Sequence, residues 1–383
     1  MASTVIKHQP STAGSNRYKY TISGWFKRSK LTDREMFLRF DDSSGAYFFF
    51  EFKSDDTIGF NDYDGGATGR CEYQVTSRKF RDTNAYYHLV LTVDSTETSS
   101  SDRVKIWVNG ELQALSSNGS EVCPSNYQTF ATSGALQYVG GDGRYATRYY
   151  NGVISHLHFC EGYAYQASDF GSTDANGVWK INTSPSVTYG TNGFFLFKDD
   201  NALTDRSGQG NNFSTHSGTL TKTEDNPSNV FDTINSNICQ ASTGGTGRDT
   251  SSRPFLSNGN TVSSTDVALW TPQMGSIPMT SGKYYYEMRR TYAGSPTNHL
   301  AWVGIEDTAT AGTNLDSTTG TNTNAVGYYS SGSVKKSNST QSGTFASWQS
   351  NNDIVQVAID LDNSYIYFGK GGVWQNSSDP TSG

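Results

Sequence analysis

No window of this 383-residue chain approaches the ~18 consecutive apolar residues of a membrane-spanning helix, so no membrane insertion is expected. Basic residues nowhere cluster, and 29 Lys and Arg stand against 36 Asp and Glu, a net charge of −7. That balance favours solubility and disfavours a phosphate-binding surface, so nucleic acid is not an expected partner. Cysteine is scarce: Cys71, Cys123, Cys160 and Cys239 form no CxxC pair and have no zinc spacing. They read as scattered buried thiols, with one disulfide in the first half left open. No heptad repeat forces a coiled coil, which leaves a homo-oligomer open without requiring one. Helical periodicity is nearly absent, and SDFG (168–171) reads as a single turn.

Catalytic constellations are missing too. Sugar hydrolysis needs two carboxyl groups ~5–5.5 Å apart for retention or ~6.5–9.5 Å apart for inversion. On a strand that means acids at i and i+2 or i+4, which share a face. No two glutamates lie within five residues of each other. Asp41-Asp42, Asp55-Asp56 and Asp199-Asp200 are adjacent, so on strands their side chains oppose. Asp62 and Asp64 have the right spacing but sit in NDYDGGATG, which reads as a turn. There is no GxSxG elbow for a serine nucleophile. His156 and His158 share a strand face without an evident third metal ligand. No enzyme is expected.

What the chain does have is aromatic strands and turns. Apolar residues make up 34%, yet aromatics reach 13%, with 23 Tyr, 20 Phe and 39 Gly. Disordered chains are poor in aromatics, whereas Tyr, Phe, Trp and Thr suit a pleated, half-buried surface. Strands are predicted in TISGWFKRS, MFLRF, AYFFFEFKS, YYHLVLTVD and RVKIWVNGELQ. In the last, Val104, Ile106 and Val108 take one face and Lys105 and Trp107 the other, and Asn109-Gly110 is a two-residue hairpin signal. NGVISHLHF alternates Val153, Ser155, Leu157 and Phe159 against Ile154, His156 and His158. A second series follows: GKYYYEMRR, LAWVGIED, AVGYYS and DIVQVAIDLDNSYIYFGKGGVW. The last echoes HLVLTVD…RVKIWVNGE, a buried strand ending in Asp followed by a strand running into a Gly turn. The predicted fold is therefore all-β, two antiparallel β-sandwiches joined by an extended strap and a linker.

The expected organisation is an N-terminal arm over 1–17, a first sandwich over 18–171, and a strap over 172–236 packed on it. A linker or long loop over 237–268 and a second sandwich over 269–383 complete it. Val5, Ile6 and His8 are the candidate docking residues of the arm. The strap carries turn chemistry with aromatic anchors at Trp179, Phe194, Phe195, Phe197 and Phe213. The loop DGRYATRYY is rich in Arg and Tyr, and sugars stack on aromatic faces and accept bidentate hydrogen bonds. Asp142, Arg144, Tyr145, Arg148 and Tyr149 are the candidate glycan- or receptor-binding residues.

These segments resemble known families. YTISGWFKRS, YHLVLTVD, VKIWVNGE, YVGGDGR and YNGVISHLHF are similar to a laminin-G-like, concanavalin A-type jelly roll. DFG, GVWK, YGTNGFFLFK, DRSGQGNNF and DNPSNVF resemble a strap found in virion and tail proteins of marine bacteriophages. GKYYYEM, WVGIED, AVGYY and VQVAIDLDNSYIYFGKGGVW resemble a SPRY domain. A SPRY sandwich has further strands after the VW element, so the polypeptide is expected to continue beyond Gly383. Laminin-G-like domains bind calcium at a loop rim, which makes Asp62, Asp64 and Asp142 candidate ligands for that ion. The resemblance implies a virion protein of the tail-fibre or tail-tip type, adhering to host glycan or protein receptors, with other virion proteins as partners. MASTVIKHQPSTAG lacks a signal peptide's apolar core and cleavage site, in keeping with assembly inside a cell followed by lysis. The alternatives are a capsid decoration or tail-assembly protein with only virion partners and, behind it, a polysaccharide depolymerase.

Overall fold

The computed structural model describes residues 3–42, 44–66, 70–75, 78–116, 123–236, 241–243, 247–249, 255–264, 273–291, 301–307, 325–337 and 339–381. The chain divides into one compact unit of Met1–Ser236 with Leu256–Ser263, and a second of Asn237–Phe255 with Ser264–Gly383. Among the described residues there is no α-helix. There are three short 3-10 turns, Ser100–Asp102, Phe130–Thr132 and Ala167–Asp169, the last at the predicted SDFG turn.

The strands of the first unit run β1 (Val5–His8), β2 (Lys19–Arg28), β3 (Glu35–Asp41), β4 (Tyr47–Phe52), β5 (Ile58–Tyr63), β6 (Arg70–Val75), β7 (Tyr87–Asp94) and β8 (Val104–Val108). They continue with β9 (Glu111–Leu112), β10 (Leu115–Ser116), β11 (Leu136–Val139), β12 (Gly152–Glu161), β13 (Gly171–Thr173), β14 (Trp179–Ile181), β15 (Phe194–Leu196) and β16 (Ser214–Ser217). One sheet has eight strands in the order β10-β6-β5-β4-β3-β11-β1-β16, the other six in the order β15-β12-β2-β7-β8-β9. Every pair within them is antiparallel.

Period-2 alternation explains why these strands pair face to face. Phe48, Phe50 and Phe52 of β4 point into the sandwich, where they meet Phe37, Phe40 and Phe60 and the aliphatic row Leu89, Leu91, Val93, Val104, Ile106 and Val108. Asn109 and Gly110 both have positive φ, 50° and 79°, and close a two-residue turn that pairs Val108 with Glu111. Both central residues of that turn type need positive φ, which Asn and Gly supply.

Strict alternation fails in β12. The register slips between Ser155 and His158, and His156 takes a φ of +47°. One extra residue is absorbed there, so Ile154, Leu157 and Phe159 reach the same core instead of Val153 and Ser155 doing so.

Two further expectations are corrected, and one point left open, the disulfide, is decided. Residues 1–17 are not a free arm. β1 lies between β11 and β16, Val5 and Ile6 are each 1% exposed, and His8 Nδ1 donates to Asn212 O while its ring packs on Phe213. Val5 and Ile6 are thus buried sheet residues and cannot dock a partner. Four residues of VIKH are too few to signal a strand whose partners lie 130 and 210 positions away. Cys71 and Cys123 are joined as a disulfide, Cys160 is a buried thiol, and Cys239 lies outside the described residues. The 237–268 segment is not all linker. Strands β19 (Phe255–Ser257) and β20 (Val262–Ser264) pair, after a short β17 (Ala241–Thr243) and β18 (Gly247–Asp249) hairpin. Asn260 in that turn donates to Thr83 O (2.9 Å) and accepts from Ile234 N through its carbonyl (2.9 Å), so the chain returns to the first unit.

The strap becomes part of both sheets. β15 pairs with β12 and β16 pairs with β1. Between them, Asp205 folds DRSGQGNNF by accepting from Phe195 N, Ser207 N, Ser207 Oγ and Asn211 N at 2.7–3.0 Å. The strap's earlier half, with Phe170 just before it, covers the outer face of the six-stranded sheet, where Phe170, Tyr189 and Phe195 pack on Val90, Trp107 and Cys160.

The second unit has two four-stranded antiparallel sheets. One is β21 (Lys283–Arg289), β26 (Ile354–Asp360), β27 (Tyr365–Lys370) and β28 (Val373–Trp374); the other is β22 (Trp302–Glu306), β23 (Ala325–Tyr329), β24 (Ser333–Lys336) and β25 (Ser339–Thr340). They enclose Tyr328 and Trp348 with Val334, Val355, Val357 and Phe368. The predicted start of this unit near Leu269 lies outside the described residues.

Candidate functional site

The outward face of the eight-stranded sheet is built from the residues that alternation leaves over. Arg39 on β3, Phe49 on β4 and Asn61 on β5 are direct cross-strand partners, and Asp41 and Tyr47 pair in the next row. Tyr47 and Phe49, two apart on one face, stack at 5.8 Å with 9° between their planes. The Arg39 guanidinium lies 4.9 Å from the Tyr47 ring and that of Arg34 lies 5.2 Å from Phe49. Each is a cation–π contact that fixes both partners.

The 142–150 loop closes over this platform. Its base is pinned by an Asp142–Thr147 bridge, by Tyr150 N on Gly140 O (2.9 Å) and by Met36 N on Arg148 O (3.0 Å). Ala146 and Arg148 have left-handed φ values of 51° and 53°, so the loop is sharply folded. Arg144 reaches down to Asp41 Oδ1 and to Asp42 O (2.8 Å), and its guanidinium sits 5.3 Å from the Tyr145 ring. Between loop and sheet is an open cleft of about 480 Å³. Arg34, Arg39, Arg144 and Arg148 line it, with Tyr47, Phe49 and Tyr145, and with Asn61 and Asp142.

Its charges are mostly matched. Arg34 Nε lies 2.6 Å from Glu51 Oε1, and Asp41 takes Arg39 on one oxygen and Arg144 on the other. Burial pushes the Glu51 carboxyl up, against the pull of Arg34. Its hydrogen bond to Asp41 raises Arg144. Asp142 is 1% exposed and accepts from Tyr145 N (3.3 Å), while Tyr145 is 61% exposed at the cleft mouth.

Of the residues expected to bind glycan, Asp142, Arg144, Tyr145 and Arg148 come together in this cleft. Tyr149 does not line it and instead packs beside Gly141. Sequence reasoning missed Arg34, Arg39, Tyr47, Phe49 and Asn61. Arg39 was the one available signal, a lone charge inside MFLRF.

The expected calcium ligands are not brought together. Asp62 lies in β5, not in a turn, and faces the sandwich interior, opposite to Asn61. Its carboxylate accepts from Phe130 N (2.6 Å), Ala131 N (3.2 Å) and Tyr127 Oη (3.2 Å), which anchors the Phe130–Thr132 turn. Burial raises its pKa to about 6 despite those bonds. Asp64 accepts from Gly66 N (2.9 Å), and Asp142 lies on the other side of the sheet. Among the described residues, no three His, Cys, Asp or Glu side chains form a metal-binding group. His156 and His158 are likewise engaged elsewhere, with Ser155 Oγ (2.8 Å) and Tyr189 Oη (2.9 Å).

The family described as the concanavalin A-like lectin/glucanases superfamily, of laminin-G type, matches residues 3–165. Among curated proteins no match is found. Among solved structures, a native heptameric SAP-like pentraxin from Limulus polyphemus is 13% identical, over 43% of this chain and 71% of that one, with a TM-score of 0.31. The LG4-5 domains of the mouse laminin α1 chain are 14% identical, over 42% of this chain and 41% of that one, with a TM-score of 0.26. The CBM40 of Ruminococcus gnavus IT-sialidase, bound to α2,6 sialyllactose, is 14% identical, over 39% of this chain and 86% of that one, with a TM-score of 0.25. Residues 3–165 have the concanavalin A-like jelly-roll fold of laminin-G type, and the strap adds an edge strand to each of its sheets.

Proposed function

We propose that this protein is a non-catalytic adhesin whose first unit grips carbohydrate in the cleft beneath the 142–150 loop. The observation that carries this reading is the cleft itself: planar donors and half-buried aromatic rings on a sheet, closed by one folded loop that carries the exposed Tyr145. Aromatic faces take the apolar side of a sugar ring, and a few placed polar groups set its orientation. The cleft's carboxylates are held by arginines or by a backbone amide, which supports binding over acid–base chemistry.

The setting we propose is the virion of a bacteriophage, as a tail-fibre or tail-tip component facing the host surface. Its supports are the strap words that run from DFG to DNPSNVF and the SPRY-like strand words of the second unit. Binding at each site is weak, and many copies on one particle raise the effective concentration.

A glycan array probed with the full chain, displayed densely on beads, tests the reading. Host-type polysaccharides are expected to retain the beads, and Tyr145→Ala to release them. Retention that survives Tyr145→Ala and Arg144→Ala together places the binding surface elsewhere and ends the assignment of this cleft.

A further inference from the structure

Three of the four arginines around the cleft have a carboxylate: Arg34 has Glu51, and Arg39 and Arg144 share Asp41. Arg148 has neither an ion pair nor a side-chain hydrogen bond among the described residues, although its backbone is fixed by Met36. A guanidinium offers donors in a planar fork that matches a carboxylate. The Arg148 main chain is therefore held, while its guanidinium has no carboxylate bonded to it among the described residues; Glu51, whose carboxylate feels the Arg148 charge, is already bonded to Arg34.

A second observation points into the same space. Asn61 is 3% exposed, lines the cleft, and its Oδ1 is buried without a hydrogen-bond partner. Buried polar atoms are nearly always paired, so an unpaired one at a cleft wall calls for an explanation. A bound hydroxyl supplies it, because a hydroxyl both donates and accepts and so suits either end of the amide. The opening, about 480 Å³, lies within the roughly 300–1,000 Å³ of small-ligand pockets.

Resting on the reading that this cleft takes carbohydrate, we infer that its ligand is an acidic sugar, a uronate-type unit. Its carboxylate is forked by Arg148, one hydroxyl meets Asn61, and the ring lies against Tyr145. Neutral sugars fill the hydroxyl and stacking positions but bring no carboxylate for the Arg148 fork. The site thus discriminates by charge on a chain whose net charge is −7, which would otherwise repel acidic polysaccharide.

The test uses the full chain and three immobilised uronate polymers, polygalacturonate, alginate and hyaluronan, each beside its methyl ester. The ester keeps the rings and hydroxyls and removes the charge. At least one acid form is expected to bind ten-fold or more tightly than its ester, with affinity falling as salt rises. Arg148→Gln should erase that preference. Asn61→Leu should weaken acid and ester alike without lowering the melting temperature, since it removes an unpaired buried amide and no native bond. Equal binding of acid and ester, or a preference that survives Arg148→Gln, overturns the acidic-sugar inference and leaves carbohydrate binding standing. Silence on all six polymers and on a glycan array removes both. Array binding to neutral glycans alone removes only the inference.

Discussion

Replacing Lys27 by Met should expose how far the strap is part of the fold. Lys27 projects from β2 with its Nζ 2.7 Å from Asp225 Oδ2 and 3.1 Å from Thr233 Oγ1. The two charged side chains are 0% and 1% exposed. Tyr86 closes the site, donating its hydroxyl to Asp225 O (2.8 Å) with its ring 5.7 Å from the ammonium. Asp225 also accepts from Phe231 N (3.1 Å), so this one carboxylate organises the strap's end. Removing the lysine leaves a charge in the interior with no counter-charge, which costs roughly 3–5 kcal/mol. For a unit of this size each kcal/mol moves the melting temperature by about 2–4 °C, so a fall of roughly 6–20 °C is expected. The paired change Lys27→Met with Asp225→Leu should recover most of the loss, because attraction between two buried charges largely offsets their desolvation and does little more. Scanning calorimetry supplies the cycle, and hydrogen exchange over 225–233 locates the damage. A single variant within ~1 kcal/mol of wild type, or a double variant that loses the sum of both singles, refutes the reasoning.

Further outcomes follow from the same structure. Burial holds His88 at about 3 and His156 at about 4 beneath the strap. Both lie below the ordinary ~6.5, so the stability they carry is present above that pH and is lost as pH falls toward the folded values, at about 1.4 kcal/mol per unit and group. Glu35, raised to about 7, and Asp62, raised to about 6, run the other way: their contribution is present below the ordinary carboxyl values and lost as pH rises through 6 and 7. Hydrogen exchange should therefore show protection of 163–213 collapsing between about pH 6 and 4.5 with little change in overall melting, and uniform loss across the unit contradicts this. Reducing the Cys71–Cys123 disulfide, 52 positions apart, should lower stability by about 4 kcal/mol on the loop-entropy estimate, read as the shift in denaturant midpoint with and without reductant. Gly110→Ala should cost roughly 1–3 kcal/mol and alter tryptophan fluorescence. Its added Cβ falls 2.4 Å from the Trp179 ring at a φ of +79°. An unchanged spectrum argues against that packing.

What the sequence made legible was whatever its own neighbours decide. The runs AYFFFEFKS and RVKIWVNGELQ both became strands, and Val104, Ile106 and Val108 of the second form the expected single row, inward, because each residue's face is set by the one before it. Asn109-Gly110 announced its turn because the φ values are a property of those two residues. Illegible features were those decided by distant partners. VIKH reads as arm until β11 and β16 flank it, and Cys71 reads as a thiol until Cys123 meets it. The β12 bulge escaped notice because His156 is an unremarkable residue that is bent by the strand's need to deliver Leu157 inward and to reach Phe197 O.

The cleft divides along the same line. Its lid was readable, since DGRYATRYY concentrates Arg and Tyr in one turn-bounded segment. Its floor was not, since Arg39, Phe49 and Asn61 belong to three strands, and only the register makes them a row. A binding loop on a sandwich announces its chemistry locally, while the platform that makes it selective is assembled by pairing. Arg148 carries both halves: it is named by the loop's composition, and its guanidinium has no bonded carboxylate among the described residues while Glu51 and Asp41, on the strands below, are bonded to Arg34, Arg39 and Arg144.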